Sequence, residues 1–336
     1  MTKTRTNKER CDVVLLVDVE TVDEGADGRY HPEPDGMEAA VYARLEERWG
    51  QVTIVPFETE VGATVARLAA LKPRLVFNLT EWIDGDRCLD AAIAGLLDAL
   101  KLRYTGTGPV GLHLARDKAL SKALVANLGI AVPRSVIING GRATAGDLRY
   151  PLIVKPQFGD GSDEIGKNAL VRTPLEFTRR VRDVRKRVKT PLLVEEYAPG
   201  TDLFVGLIGN RPRVLAPLEL VVGRQGRGAP TIATSRIKID AAYRERWDIS
   251  YRTAKLPAKV LKTIERSSAA IFRALKLRDY ARLDYRLTPD NELVFLEANP
   301  NPDLSPHTFG ENRCFAGVGY GELIDTIVRS AFARPR

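Results

Sequence analysis

Apolar and polar residues alternate through Tyr280–Leu287 and again through 293–298, with Pro289, Asp290 and Asn291 between the two runs. Period-2 alternation on either side of a turn cluster predicts an antiparallel hairpin. Arg282 and Asp284 stand two apart on the first strand and share a face, as do Glu297 and Asn299 on the second. If the two faces coincide, the hairpin gathers two carboxylates, an amide oxygen and a guanidinium. Hard oxygen donors without His or Cys suit Mg²⁺, which keeps waters and bridges to substrate phosphates. The plainer alternative is a solvated polar face. The apolar neighbours argue instead for a buried sheet, where unpaired carboxylates are costly.

Upstream, the β-branched run 13–17 predicts a buried parallel strand, and the acidic, Gly-containing stretch 18–35 a ligand loop. Helices are expected over 36–49, Val61–Leu71 and 89–100, and strands over Val52–Phe57, 75–79 and 101–105. Strand and helix alternating at these lengths predict a doubly wound parallel domain over residues 1–112. Gly106, Gly108 and Gly111 match G-x-G-x-x-G, but they follow the last strand of the unit and Pro109 removes an amide. A turn opening a helix is the better account. Beyond it the pattern predicts helices over 116–128, 258–276 and 321–333, and strands over Ser135–Ile138, 151–156, 192–197, 203–208 and 213–220. Lys155 ends one strand and precedes the Gly-rich stretch 157–166, whose free amides and Ser162 hydroxyl suit phosphate. The polar stretch 221–251 has weak periodicity and the length of a functional lid.

Composition adds limits. A chain of 336 residues, 44% hydrophobic and 28% charged, suggests an ordinary soluble protein of two or three domains. No apolar run is long enough for a membrane span, and the basic start lacks an apolar core behind it, which argues against a signal peptide. Cys11, Cys88 and Cys314 have no metal-ligand spacing and fit a reducing cytoplasm. The net charge of +8 invites a nucleic-acid partner, but much of it sits in 179–189. There helical spacing sets Val181, Val184 and Val188 inward and leaves the charges as a solvated face. No aromatic residues interleave with them, and a basic cleft for a nucleotide accounts for part of the excess. Neither a nucleic-acid nor a membrane partner is expected.

Taken together, these motifs resemble the D-alanine–D-alanine ligase family of the ATP-grasp superfamily. The resemblance rests on Phe77-Asn78-Leu79, Tyr104-Thr105-Gly106, Asp117-Lys118 with Lys122, and Gly129-Ile130 before Pro133. It continues through Val154-Lys155-Pro156 with the Gly-rich loop, Val194-Glu195-Glu196-Tyr197 before Gly200, and Arg282-x-Asp284 with Glu297-x-Asn299-x-x-Pro302. It implies an α/β ATP-grasp fold preceded by the doubly wound domain, divided as 1–112, 113–202 and 203–336. It also implies that Lys118 and Lys155 hold the ATP phosphates, that the strand edge Glu195, Glu196, Tyr197 and Ala198 holds adenine, and that Asp202 holds the ribose. Lys238 is the counterpart of the lid lysine that reaches the γ-phosphate. Asp284, Glu297 and Asn299 would hold two Mg²⁺, with Mn²⁺ able to stand in, and Arg282 would stabilise charge at the acyl centre. Small carboxylate and amine substrates, a cytoplasmic enzyme and a homodimer follow from the same resemblance.

Several departures lie on the substrate side, while the lid has Lys238-Ile239 in place of Lys-Tyr and the Gly-rich loop spaces its Ser and Gly one residue wider. The family's Gly-Gly-x-Ser-x-Glu motif after the first strand gives way to Val17-Asp18-Val19-Glu20-Thr21-Val22-Asp23. Its His-containing partner motif becomes Thr80-Glu81-Trp82-Ile83-Asp84-Gly85-Asp86, and Pro-Gly-Met-Thr becomes Pro302-Asp303-Leu304-Ser305. The expectation is an acid–amino-acid ligase with a changed substrate pocket. A true D-alanine–D-alanine ligase and a silent ATP-binding relative remain as alternatives.

Overall fold

The computed structural model describes residues 12–141, 143–159, 168–224, 226, 228–234, 236–237, 240–306, 311–315 and 317–335. The order begins with β1 (Val13–Asp18), a hairpin of β2 (Val22–Glu24) and β3 (Tyr30–Pro32), and α1 (Met37–Trp49). β4 (Val52–Phe57), α2 (Val61–Leu71), β5 (Leu75–Asn78) and α3 (Asp90–Ala99) follow. Every residue of β1 is buried because the parallel sheet β4-β1-β5 is covered on both faces. Val13, Leu15 and Val17 pack with α1, while Val14 and Leu16 pack with α2 and α3. The sheet order reverses at β1, so Asp18 stands at the switch point where such sheets take ligands. Two expectations change here. The stretch 18–35 contains the β2–β3 hairpin, and 101–105 forms no strand, only a parallel bridge from Tyr104 to Val76.

The helix that Pro109 opens is α4 (Pro109–Arg116), and the helix expected over 116–128 is α5 (Lys118–Ala126), shorter at both ends. The chain turns extended at Asp117, whose carboxylate accepts from the amides of Ala119 and Leu120 and so caps α5. Gln157 Nε2 donates to the same carboxylate at 2.9 Å, which docks the start of α5 on the end of a strand of the next sheet. That sheet runs β6-β9-β7-β8, from β6 (Ser135–Ile138), β7 (Leu152–Pro156), β8 (Leu170–Val171) and β9 (Leu192–Glu196), with α6 (Pro174–Arg185) against it. Arg180 of α6 is buried rather than solvated and donates to the Val154 carbonyl. It shares a helical face with Phe177 and Val184, so packing carries it inward.

The last sheet is antiparallel, in the order β13-β12-β10-β14-β15. It contains β10 (Thr201–Ile208), β11 (Arg213–Val214) paired to β10, β12 (Leu218–Val222) and, after α7 (Ala241–Trp247), β13 (Ile249–Thr253). The single strand expected over 213–220 is split, with Pro217 just before β12. The stretch 221–251 is less open than its polarity suggests. Asp240 caps α7, and β13 pairs with β12 through alternately buried Ile249 and Tyr251, which narrows the lid candidate to 223–240. α8 (Ala258–Ala274) covers Leu283 and Tyr285 of β14 (Tyr280–Leu287) and Phe295 of β15 (Leu293–Pro300). α9 (Tyr320–Ala333) returns to pack beside α1, completing the covered face of the first sheet.

Asp279 ties these parts together. It is fully buried, accepts from the Gly106 amide at 2.7 Å and pairs with Arg334 beyond α9. Removing one partner of a buried pair leaves the other charge uncompensated. Asp279→Ala is therefore expected to cost about 3–5 kcal/mol of stability, read as a lower urea midpoint at unchanged slope.

Candidate functional site

Register builds the site. Strand β14 pairs with β15 so that Asp284 lies opposite Glu297 and Arg282 opposite Asn299. A bulge makes this so. Leu287 pairs with Leu293 and Tyr285 with Phe295, a register that would set Asp284 against Leu296. The extra residue moves Glu297 into that place, and both Leu296 and Glu297 then line the cleft. Arg282 holds Asp284 through both carboxylate oxygens, at 2.7 and 3.1 Å.

The donor set fits a hard divalent cation. Two carboxylates and an amide face one another, with no soft ligand among them. Among the described residues, no three His, Cys, Asp or Glu side chains converge. Asn299 Nδ2 is buried without a hydrogen-bond partner. Turning the amide over would place its oxygen there instead, the arrangement a cation uses.

A cleft of about 750 Å³, open to solvent, extends from these residues between the β7–β9 and β10–β14 edges. Lys155 and Glu195 line it, and behind them lies Lys122. Glu195 is held by Lys122 at 2.7 Å and by Lys155 at 2.9 Å, all three side chains nearly sealed from water. The contact with Lys122 is off-axis, so Glu195 Oε1 has coulombic attraction but no directed hydrogen bond. Burial pushes the Glu195 carboxyl up, and the two lysines outweigh it and hold it at about 2. Burial pushes Lys122 down to about 8, with Glu195 offsetting only part of the effect. For Lys155 the same burial is outweighed by Glu195 and Glu297, and its ammonium is held above its usual range.

The other expected residues spread along the cleft and its rim. Lys118 is buried and donates to the Gly159 carbonyl at 2.5 Å, at the entry to the Gly-rich stretch. Glu196 takes Arg134 at 3.0 Å and Arg149 at 3.3 Å, so its carboxylate serves the rim of the cleft. Tyr197 and Ala198 line the cleft, and Asp202 pairs with Arg286 at 2.9 Å. Ser162 and Lys238 lie outside the described residues. Sequence reasoning assigned no role to Lys122 and passed over Arg286. Signals existed for both: Lys122 is four residues after Lys118 on one helix face, and Arg286 continues the alternation of Arg282 and Asp284.

At the end of β1, Asp18 accepts from the Glu81 amide at 3.0 Å. Burial pushes its carboxyl up to about 7 despite that bond.

A family model described as D-ala D-ala ligase C-terminus matches residues 125–329. The uncharacterized protein y4sG of Sinorhizobium fredii is 31% identical over 320 residues, 90% of each chain. A D-alanine–D-alanine ligase of Gluconobacter oxydans is 30% identical over 301 residues, covering 88% of this chain and 93% of that one. The crystal structure of the D-alanine–D-alanine ligase from Bacillus anthracis complexed with ATP superposes with a TM-score of 0.70 at 18% identity. It covers 96% of this chain and 97% of that one. At that identity the likeness is one of fold, which is ATP-grasp.

The raised Asp18 pKa has a definite sign in stability. The folded chain binds the extra proton between about pH 4 and 7, so stability present below pH 4 is lost as pH rises through 7. Asp18→Asn keeps an acceptor for the Glu81 amide and removes that loss. Thermal melts should show the variant more stable than wild type by about 2 kcal/mol at pH 8 and by well under about 1 at pH 4.

Proposed function

Since the chain belongs to the D-alanine–D-alanine ligase family, ATP-dependent enzymes that form C–N bonds and release ADP, we propose that its cleft activates a carboxylate for attack by an amine. The observation that carries this is the direct pairing of Asp284 with Glu297 and Arg282 with Asn299, where Asp284, Glu297 and Lys155 line one cleft. A carboxylate is a poor acyl donor because its oxide cannot leave. Moving the γ-phosphoryl group of ATP onto it breaks the β–γ phosphoanhydride, releases ADP and makes an acyl phosphate. The amine then attacks through a tetrahedral intermediate and phosphate departs.

Each residue has a task in that sequence. Lys118 and Lys155 hold the phosphates, and Glu195 with the edge from Glu196 to Ala198 holds adenine, while Asp202 holds the ribose. The buried pair of lysines around a single carboxylate carries one excess positive charge, which a polyphosphate neutralises. Asp284, Glu297 and Asn299 hold two Mg²⁺, or Mn²⁺ in their place, which neutralise charge on the transferring group. Arg282 orients Asp284 and presents its guanidinium to the acyl oxyanion. The stretch 223–240, whose Ile232 and Ala233 wall the cleft, keeps water from the acyl phosphate, and Lys238 and Ser162 complete the phosphate cradle. In this reading the domains divide at residues 112 and 202.

The amino-acid pocket differs from the family pattern in this reading, and it lies at the end of β1. Asp18 stands there beside the Glu81 amide, and Glu38 lies in the first turn of α1. Leu304, next to Asp303, docks its amide on Met37 Sδ at 3.2 Å, which brings the changed segment 302–305 to the same helix end. Carboxylates in this position suit a substrate ammonium.

The test is ADP release over a matrix of amino acids, dipeptides and other carboxylates paired with amine acceptors. Acceptor-dependent ADP from pairs other than D-alanine with itself is expected. ATP binding without any acceptor-dependent ADP would sink the ligase assignment. Glu297→Gln should lower turnover about a hundredfold or more, the several kcal/mol a metal contributes to the transition state. Normal turnover by that variant would remove the metal site.

A further inference from the structure

Arg286 lines the cleft two residues after Asp284 on β14, and no step of the ligation uses it. It is 4% exposed, on the strand that forms the cleft floor. A guanidinium buried this far is costly unless its donors are met, and an apolar side chain would fill the same floor at no such cost. Its donors are largely spent on fixed acceptors. One nitrogen pairs with Asp202 Oδ1 at 2.9 Å, and another reaches the Gly200 and Thr231 carbonyls at 3.0 and 3.2 Å. The Tyr197 ring lies 5.4 Å from the guanidinium carbon, and the Tyr197 hydroxyl donates to the same Thr231 carbonyl. Nε is buried with no partner.

Backbone geometry supports this placement. Gly200 has φ +139, and a Cβ there would meet the Leu287 carbonyl at 2.0 Å. Only glycine lets the 200–202 segment lie against the residue that follows Arg286. The result is an aspartate on β10 whose carboxylate is fixed from beneath by a planar donor on β14, in the direct cross-strand pair Asp202–Arg286. A carboxylate held in this way does not have to be reoriented when a hydroxyl arrives.

We propose that Arg286 is a positioning residue for nucleotide recognition, which holds Asp202 as a fixed acceptor for the ribose hydroxyls. This rests on the ATP reading of the cleft. A merely structural arginine would support the fold and leave the choice between sugars untouched. A positioning arginine sets that choice.

The experiment is calorimetric binding of Mg·ATP and Mg·2′,3′-dideoxy-ATP to the full chain. A hydrogen bond from sugar to charged acceptor corresponds to about tenfold or more, so wild type should prefer ATP by at least that factor. Arg286→Met should bind the two nucleotides within about threefold of each other, chiefly by losing affinity for ATP, with Arg286→Lys between. Where Arg286→Met gives no cooperative melt, Asp202→Asn is the second probe and should show the same lost preference. Equal weakening of both nucleotides in the variants, or a preference kept intact, overturns the proposal. Wild type that binds both nucleotides equally also overturns it and leaves the ATP site standing. Wild type that binds neither overturns the ATP reading and this inference together.

Discussion

The extra residue in β15 is the constraint on which the catalytic end of the cleft depends. Without the bulge, Asp284 would face the aliphatic Leu296, and Glu297 would belong to the opposite face of the sheet. With it, two strands present two carboxylates, an amide and a guanidinium to one point, while Leu283, Tyr285 and Phe295 stay beneath α8. Strand β14 is the right place for such a device, since it is paired on both sides, by β10 and β15, and cannot slip without unmaking the sheet. Rigidity of this kind is what phosphoryl transfer needs, because its catalysis is mostly positioning and charge neutralisation.

Charge completes what register begins. The two lysines on Glu195 are supplied by different elements, Lys155 from β7 and Lys122 from α5. Their convergence depends on Asp117, which ends one helix, caps the next and takes Gln157 from the end of β7. The cluster costs stability as a buried group with excess positive charge, a cost that the polyphosphate of the proposed nucleotide would relieve. Arg286 and Asp202 repeat the logic in neutral form farther along β14 and β10.

Much of this was legible before folding. Alternation in Tyr280–Leu287 placed Arg282 and Asp284 on one face, and the β-branched run at the start gave a doubly covered parallel strand. Pro109 marked the first turn of a helix rather than a phosphate loop. Other features carried no clear local signal. The hydrogen bond from Gln157 to Asp117 joins residues 40 apart, so the docking of α5 on the end of β7 had no local mark. The polarity of 221–251 masked β13, a short stretch whose alternating Ile249 and Tyr251 are buried when it pairs with β12. Arg286 continued the alternation of Arg282 and Asp284, but its burial against Asp202 comes from the pairing of β10 with β14.

By itself, the sequence determined the periodicities, the turns and caps, and the set of oxygen and nitrogen donors available, since these depend on contacts within a few residues. The tertiary structure alone decided which donors meet. Asp284 faces Glu297 because of a register shift, Glu195 holds two lysines because α5 docks on β7, and Asp202 holds Arg286 because β10 pairs with β14. Each of those meetings joins residues far apart in the chain, and the free energy that enforces them is burial of the surrounding core, a property no local stretch possesses.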